Sequence, residues 1–269
     1  MSASAPDSAP DLSRRFGGID RLYGPAAAQA FAHAHIAVVG IGGVGSWAAE
    51  ALARSGVGQI TLIDLDHVAE SNINRQIHAN DATLGQAKVL AMQERIASFH
   101  PGCRVHAVDE FVEPDNWPAL LPAPADAVID ACDQMRAKTA LAAWALQQRA
   151  QRHPQRPPSL FITVGAAGGK QQPWLVEVDD LARATHDPLL AQLRQRLRKW
   201  HGAPRDGKAF GLASVFSREA VQMPASASCE SVDGNLNCHG YGSSVTVTAT
   251  FGMCAAGWVL QQLASRATV

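Results

Sequence analysis

Gly40-Ile41-Gly42-Gly43-Val44-Gly45 follows a short apolar stretch at residues 36–39 and precedes a helical pattern that opens at about Ser46. Glycines let the backbone turn sharply and approach an anion, and the unsatisfied N–H groups at a helix start favour negative charge there. A second apolar stretch, residues 59–63, ends in Asp64, about 20 residues on, where such units place an acid against a ribose hydroxyl. To this point the pattern suits any mononucleotide or dinucleotide. The next residues narrow it. Ser71-Asn72-Ile73-Asn74-Arg75-Gln76 puts three amides and a guanidinium within one short run, and Lys88 follows Gly85 at the start of another helical stretch. Hydride transfer has no use for an arginine and a lysine at one loop edge. Breaking the phosphates of ATP does, because charge moves toward the bridging oxygen as pyrophosphate leaves, and cations fixed beforehand stabilise it. The plain alternative is that Arg75 and Lys88 are solvated surface charges.

These side chains need a frame whose strand ends meet. Strands at residues 36–39, 59–63, 104–108, 127–130 and 160–164 alternate with helices from about Ser46, over residues 86–99 and over residues 138–149. That alternation predicts an α/β fold: a Rossmann-like, mainly parallel sheet with helices on both faces. Residues 1–13 are expected to be a disordered tail, being small, polar and proline-containing. Residues 14–269 then form a single domain, with a nucleotide-binding part at about 32–150 and a C-terminal substrate and dimerisation part at about 159–269. A helical arm spans residues 14–31, and the proline-rich 153–159 separates the two parts. A further strand is expected at residues 174–178 and a helix from Asp187-Pro188 to about Trp200. Residues 201–242 read as loop-rich, without a clear pattern of elements. The last segment alternates like a strand at Val245, Val247, Ala249 and Phe251, yet its length to Leu263 favours a helix capped by Ser243 or Ser244.

Composition sets outer limits. The chain has 269 residues, a formal net charge of −1 and 47% hydrophobic residues. It is long enough for a well-buried core, and no global field draws it to nucleic acid or membrane. Five cysteines, with no CxxC pair, argue against a disulfide framework and against structural zinc. No segment has a signal-peptide pattern, and none reaches the ~18–20 apolar residues of a membrane span. A cytoplasmic location is expected.

GIGGVG, the D-L-D after the second strand, S-N-I-N-R-Q, G-Q-A-K and I-D-A-C-D-Q together resemble the adenylation domain of ubiquitin-activating enzymes and their bacterial relatives. Within that superfamily the chain is most similar to the tRNA threonylcarbamoyladenosine dehydratases. The motifs that carry this are RFGG-x-x-RLYG, HAHIAVVGIGGVGSWAAEALARSG, NRQIHA, DLARATHDPLL, VFSREA and VTATFG, spread over residues 14–263. The resemblance implies that Gly40, Gly42, Gly43 and Gly45 shape a phosphate loop and that Asp64 binds the ribose of ATP. Asn72 or Asn74, with Arg75 and Gln76, would line the triphosphate, and Lys88 would pair with it. Arg75, Lys88 and Asp133 would be catalytic. Relatives keep a magnesium-binding acid in the turn that matches Ala131-Cys132-Asp133, which makes Asp133 the metal residue and leaves Asp130 structural. Asp133 also lies just past a strand's carboxyl end, where open parallel sheets hold ligands. Its plain alternative is a helix N-cap.

The resemblance further implies ATP and Mg as cofactors, in some relatives a monovalent cation (Na or K), a tRNA substrate, a homodimer, and a sulfur-transfer accessory protein. Two departures bear on this. The paired zinc cysteines of sulfur-carrier-adenylating relatives are missing. Of their arm's R-x-x-R, Arg15 is present but Gly18 takes the second place, with Arg21 as substitute or as a surface ion pair. Cys238, beside His239, matches a cysteine of close relatives; a structural or substrate-lining role is favoured over a covalent one, since neighbours in sequence often point apart. For tRNA, charge must be local. Arg194, Arg196, Arg198 and Lys199 with Trp200 form one basic and aromatic cluster, and Arg149, Arg152 and Arg156 a second; each also reads as a solvated face.

The activity implied is ATP-dependent dehydration of N-threonylcarbamoyladenosine beside the anticodon, through an acyl-adenylate. The competing readings are adenylation of a ubiquitin-like sulfur carrier, a nicotinamide-dependent oxidoreductase, and an inactive tRNA-binding scaffold. The retained Arg75, Lys88 and Asp133 argue against the last.

Overall fold

A computed structural model describes residues 11–151, 157–222 and 241–268. Among these, seven strands form one sheet: β1 (His35–Val39), β2 (Gln59–Ile63), β3 (Arg104–Val108), β4 (Ala127–Asp130), β5 (Leu160–Val164), β6 (Val176–Asp180) and β7 (Ala213–Ser217), in the order β3-β2-β1-β4-β5-β7-β6. All neighbours run parallel except β6, which is antiparallel to β7. The apolar runs of β1 and β5 are buried along their whole length, as strands covered on both faces must be. Chain direction across the sheet reverses between β1 and β4, the point at which open α/β sheets leave a crevice. Register sharpens that crevice: Val39 of β1 pairs with Ile63 of β2 and with Asp130 of β4. Gly40, Asp64 and Ala131 therefore emerge side by side.

Among the described residues seven helices cover the sheet: α1 (Leu12–Tyr23), α2 (Pro25–His33), α3 (Gly45–Arg54), α4 (Lys88–Phe99), α5 (Met135–Ala150), α6 (Pro188–Trp200) and α7 (Val245–Ala267). On one face α2, α3, α4 and α7 close a core around Phe31, Leu52, Met92 and Phe251. On the other, α5 and α6 pack Leu141, Leu193 and Leu197 against Phe161 and Phe216. Each such side chain contributes about 1.5–3 kcal/mol by leaving water. The last helix settles the ambiguous tail segment. Val247, Phe251, Ala255 and Val259 recur every fourth residue, flanked by a second buried row of Thr248, Gly252, Ala256 and Leu260. Two adjoining rows at that spacing make a wide helical stripe. Gly252 permits a close crossing of α3, because a Cβ there would lie 2.9 Å from the Ala48 nitrogen.

Several expectations change. The arm is two helices rather than one, broken at Gly24, whose φ is +85°, with Pro25 opening the second. Its first helix starts at Leu12, capped by the Asp11 carboxylate, inside the segment expected as tail. Within the loop-rich residues 201–242 lies β7, which takes the place between β5 and β6 in the sheet. The strand expected at residues 174–178 starts only at Val176, after a 3-10 turn at Pro173–Leu175.

Candidate active site

The glycine loop is fixed by what surrounds it. Gly40 has φ +86°, and a Cβ on it would lie 2.7 Å from the Cys132 nitrogen; a Cβ on Gly45 would collide with the Gly40 carbonyl. Neither position admits a side chain. At Gly42 the reverse holds: a Cβ would meet nothing within 4 Å, since the loop faces open space. The first turn of α3 begins there with no side-chain cap on its N–H groups, which suits an anion.

That open space is a cavity of about 360 Å³ bounded by Gly42, Gly43, Asp64, Arg75, Lys88 and Asp133, with Asn72 and Gln76 in its wall. The arginine and the lysine thus meet beside the glycine turn. Arg75 is pre-aimed: its Nη1 donates to the Ser71 carbonyl (2.7 Å) and to Asn74 Oδ1 (3.0 Å). Trp47 Nε1 donates to the Arg75 carbonyl at 2.9 Å, tying its backbone to α3. Lys88 is the first residue of α4, buried, with Nζ 2.7 Å from Asp66 Oδ2. Asp64 accepts from the Ile41 N–H (2.5 Å) and the Asp66 N–H (2.9 Å), so this acid also braces the glycine loop. Burial raises its pKa, an effect that Lys88 opposes. Gln76 Oε1 is buried with no hydrogen-bond partner among the described residues, an unmet acceptor that a bound polar group would satisfy. The N-cap of α5 is Gln134, not Asp133, so the capping alternative for Asp133 does not hold.

A larger cavity of about 530 Å³ lies at the opposite, amino-terminal end of the sheet, beside Pro118, Trp144 and Ser159, and among the described residues no charged side chain lines it. Chemistry on phosphates needs the smaller one. A third cavity, about 170 Å³, adjoins the nucleotide cavity across Gly42, Gly43, Arg75, Cys132 and Asp133.

Other candidates lie apart from the crevice. Of the two asparagines only Asn72 reaches the wall; Asn74 instead donates to the Ser243 carbonyl (3.0 Å), pinning the entry to α7. Arg21 is exposed on α1 and does not line the cavity, and Arg15 donates to the Phe99 carbonyl at 2.6 Å. The α6 cluster divides. Arg194 donates to the Ala184 carbonyl (2.7 Å) and Arg198 to that of Pro204 (3.2 Å), both serving the fold. Arg196 and Lys199 instead flank Trp200, at 5.7 and 5.0 Å from its ring, and that indole is 57% exposed. Cys238, Arg152 and Arg156 lie outside the described residues.

A model of the ThiF family matches residues 16–268. The tRNA threonylcarbamoyladenosine dehydratase of Escherichia coli K12 is 46% identical over 263 residues, which cover 94% of this chain and 95% of that protein. The chain belongs to the ThiF family, among its tRNA threonylcarbamoyladenosine dehydratases. Its fold agrees. The crystal structure of the E. coli dehydratase in complex with ATP superimposes with a TM-score of 0.82 at 44% identity, covering 96% of this chain and 98% of that one. The complex with AMP gives 0.84 at 44%, over 98% and 99%.

In this ThiF-family chain the crevice rests on buried charge that motif reading missed. Lys138 Nζ, wholly buried, lies 2.8 Å from Asp130 Oδ2, 3.0 Å from the Val164 carbonyl and 3.1 Å from Thr163 Oγ1. Burial pulls this ammonium's pKa down, but Asp130 and its other neighbours outweigh that and the net shift is up. Cys132 donates to Asp130 Oδ1 (3.0 Å), and burial, aided by Asp130, pushes its thiol well up, so it is no ready nucleophile. The signal for the pair was available: a lysine eight residues after a strand-ending acid, on the helix that follows. Glu110, Phe111 and Val112 also line the nucleotide cavity. They follow β3 as Asp64 follows β2, so the strand-end rule that found Asp64 applies to them as well.

The loop between Arg75 and Lys88 carries a pH liability. His78 is buried, with neither ring nitrogen hydrogen-bonded among the described residues. Burial, then Lys88 and Arg95, lower its pKa from 6.5 to about 4. The unfolded chain therefore binds this proton at a higher pH than the folded one, and stability present above pH 6.5 drains away toward pH 4. We expect urea unfolding to show a loss on the order of 2 kcal/mol from about pH 7 to about pH 5. His78→Phe should flatten that slope; an unchanged slope would assign it to other groups.

Proposed function

We propose that this protein dehydrates N-threonylcarbamoyladenosine in tRNA, beside the anticodon, at the expense of ATP. One observation carries the reading: Arg75, Lys88 and Asp133 share a cavity with an open glycine turn at the switch point of the sheet. A carboxylate is a poor electrophile, because its oxygen must leave. Attack by a carboxylate oxygen of the threonyl group on the α-phosphorus forms a new P–O bond, breaks the bond to the bridging oxygen and releases pyrophosphate. An atom of the adjacent urea then attacks the acyl carbon, closes the ring, sheds a proton and expels AMP with the former carboxylate oxygen. Both reactants of that second step belong to one molecule, so the effective concentration is high and no thioester is required. Cys238 accordingly keeps a structural or substrate-lining role in this proposal.

Asp64 would hold the ribose, Asn72 and Gln76 the triphosphate, and Arg75 and Lys88 the charge that develops at the phosphates. Magnesium belongs to the proposal, and the donor set fits it. Asp64, Asp66, Glu110 and Asp133 line the cavity against two cations, Arg75 and Lys88, which disfavours metal-free nucleotide. No group of three or more acidic, histidine or cysteine side chains among the described residues could hold the ion alone. Asp133 would bind it jointly with phosphate oxygens, the usual arrangement for magnesium. Bound there, the ion neutralises charge on the phosphates. A monovalent cation, a homodimer with Arg21 acting across it, and a sulfur-transfer accessory protein rest on the resemblance. Arg196, Lys199 and Trp200 are the proposed tRNA contacts, with the exposed indole free to stack on a base. Work on tRNA suits the cytoplasm; no helix among the described residues is long and apolar enough to cross a membrane.

The sulfur-carrier alternative lacks support, since relatives that match over 94% of the chain are tRNA threonylcarbamoyladenosine dehydratases, while molybdopterin-synthase adenylyltransferases match over 42%. Incubation with ATP, magnesium and threonylcarbamoyl-modified tRNA, followed by mass spectrometry of the nucleosides, should show loss of one water, with AMP and pyrophosphate formed in equal amounts. An unchanged nucleoside, or AMP formation only when a carrier protein is added, would refute the reading.

A further inference from the structure

The 170 Å³ cavity adjoins the nucleotide cavity and shares Gly42, Gly43, Arg75 and Asp133 with it. Beyond that seam its walls come from Val44, the loop after β5 (Ala166, Ala167, Gly168), the first turn of α6 (Pro188, Leu189), Val221, and the entry to α7 (Tyr241, Ser243, Thr248). Those walls are fixed. The Asp187 carboxylate caps α6 through the Leu190 N–H (2.9 Å) and also accepts from the Ala166 N–H (2.9 Å), tying helix to loop. Lys170 Nζ, buried, donates to the Glu219 carbonyl (2.7 Å) and the His186 carbonyl (3.2 Å), which binds the end of that loop to both flanking segments. Gly169 N–H donates to the Gly242 carbonyl at 2.8 Å, closing the loop onto the approach to α7.

Volume and lining restrict the occupant. About 170 Å³ is near the roughly 150 Å³ of a cavity that takes one benzene. That volume matches a short acyl arm rather than a nucleoside. The lining combines apolar Val44, Leu189 and Val221 with the hydroxyl-bearing Tyr241, Ser243 and Thr248, and the seam with the nucleotide cavity carries Arg75 and Asp133. We propose that this cavity binds the threonylcarbamoyl arm of the substrate. The carboxylate lies at the Arg75 seam, the side-chain methyl against the apolar wall, and Ala166 sets the size limit. This assignment rests on the dehydratase reading and adds how the enzyme selects its amino acid: by the fit of a side chain, not by the tRNA alone.

Ala166 lines this cavity but not the nucleotide cavity, so it separates the two. Ala166→Leu should leave ATP affinity, measured by titration calorimetry, unchanged. It should raise KM for threonylcarbamoyl-adenosine tRNA at least about tenfold and hold KM for the glycylcarbamoyl analogue, which has no side chain, within about twofold. Should the leucine variant lose ATP binding through misfolding, Ala166→Val is read the same way, with a smaller shift of the same sign. Equal changes on both substrates, or none on either, would overturn the assignment while leaving the functional reading intact. Wild-type protein inactive on threonylcarbamoyl tRNA would overturn both.

Discussion

Arg75→Ala is expected to lower kcat for ATP-dependent dehydration by about a hundred- to a thousand-fold, roughly 3–4 kcal/mol of barrier, with the fold intact. The size follows from where the guanidinium sits. It lines both the nucleotide cavity and the adjoining smaller cavity, so in the proposed reaction it would face the α-phosphate and the incoming carboxylate together. A Cβ on Gly43 would lie 3.2 Å from Arg75 Cγ, which shows how closely the arginine stem follows the phosphate loop. Two hydrogen bonds to Ser71 and Asn74 hold the head in place before substrate arrives, and a cation already placed needs no reorganisation as charge develops. The fold should survive because the Trp47 Nε1 hydrogen bond that ties this turn to α3 goes to the Arg75 carbonyl, which alanine keeps. Arg75→Lys should recover no more than about tenfold, since an ammonium cannot reproduce the planar fork. AMP release with modified tRNA, read beside a thermal melt, measures both halves. A well-folded alanine variant within about threefold of wild type would remove Arg75 from the chemistry.

What the sequence revealed divides along a physical line. Parallel strands buried on both faces appear as short apolar runs, so β1 and β5 were legible, and Gly40, Asp64 and Asp133 followed as the residues just past strand ends. β7 was not. Its Ser214 and Ser217 are fully buried, Ser214 Oγ donating to the Asp179 carbonyl, so a central strand looks like polar loop. Choosing between Asn72 and Asn74 required the direction of each side chain, which a two-residue spacing in an irregular turn does not fix. The basic cluster on α6 showed the same limit. Charge count treats Arg194 and Arg196 alike, but one reaches inward to backbone carbonyls and the other lies beside an exposed indole. Composition reports how much charge a helix carries; only packing says which charges remain for a partner.

The buried charges reveal a second organisation. Lys138 is influenced by Asp187 as well as Asp130, Asp187 by Lys170, and Lys170 by Glu219. Acids and bases alternate beneath the loops that wall both cavities. Each member also hydrogen-bonds backbone: Asp187 to Ala166, Lys170 to three carbonyls, and Glu219 to the N–H groups of Gln171 and Gln172. Burial opposes charge at both ends of the Asp187–Lys170 pair, raising the carboxyl and lowering the ammonium. Isolated charges of this kind are unstable, and alternation is what lets them persist. Loops made largely of glycine and alanine have few side chains with which to hold their own shape. The charges under them supply the rigidity.

Lys138→Met should therefore destabilise the protein by about 3–5 kcal/mol, the usual consequence of removing one partner from a buried pair. Both side chains are 0% exposed, so no water can enter to solvate what is left. Asp130 would keep only the Thr163 hydroxyl (2.6 Å) and the Cys132 thiol (3.0 Å) to stabilise a carboxylate in the core. The Val164 carbonyl, at the end of β5, would lose the Lys138 donor too. Because Asp130 ends the strand that delivers Asp133, ATP affinity should fall along with stability. Urea unfolding gives the first quantity and nucleotide titration the second. Adding Asp130→Asn should recover at least half of the lost stability, since a neutral amide is far cheaper to bury than an unpaired carboxylate. A single variant that loses less than about 1 kcal/mol, or a double variant no better than the single, would mean that this pair does not anchor the crevice.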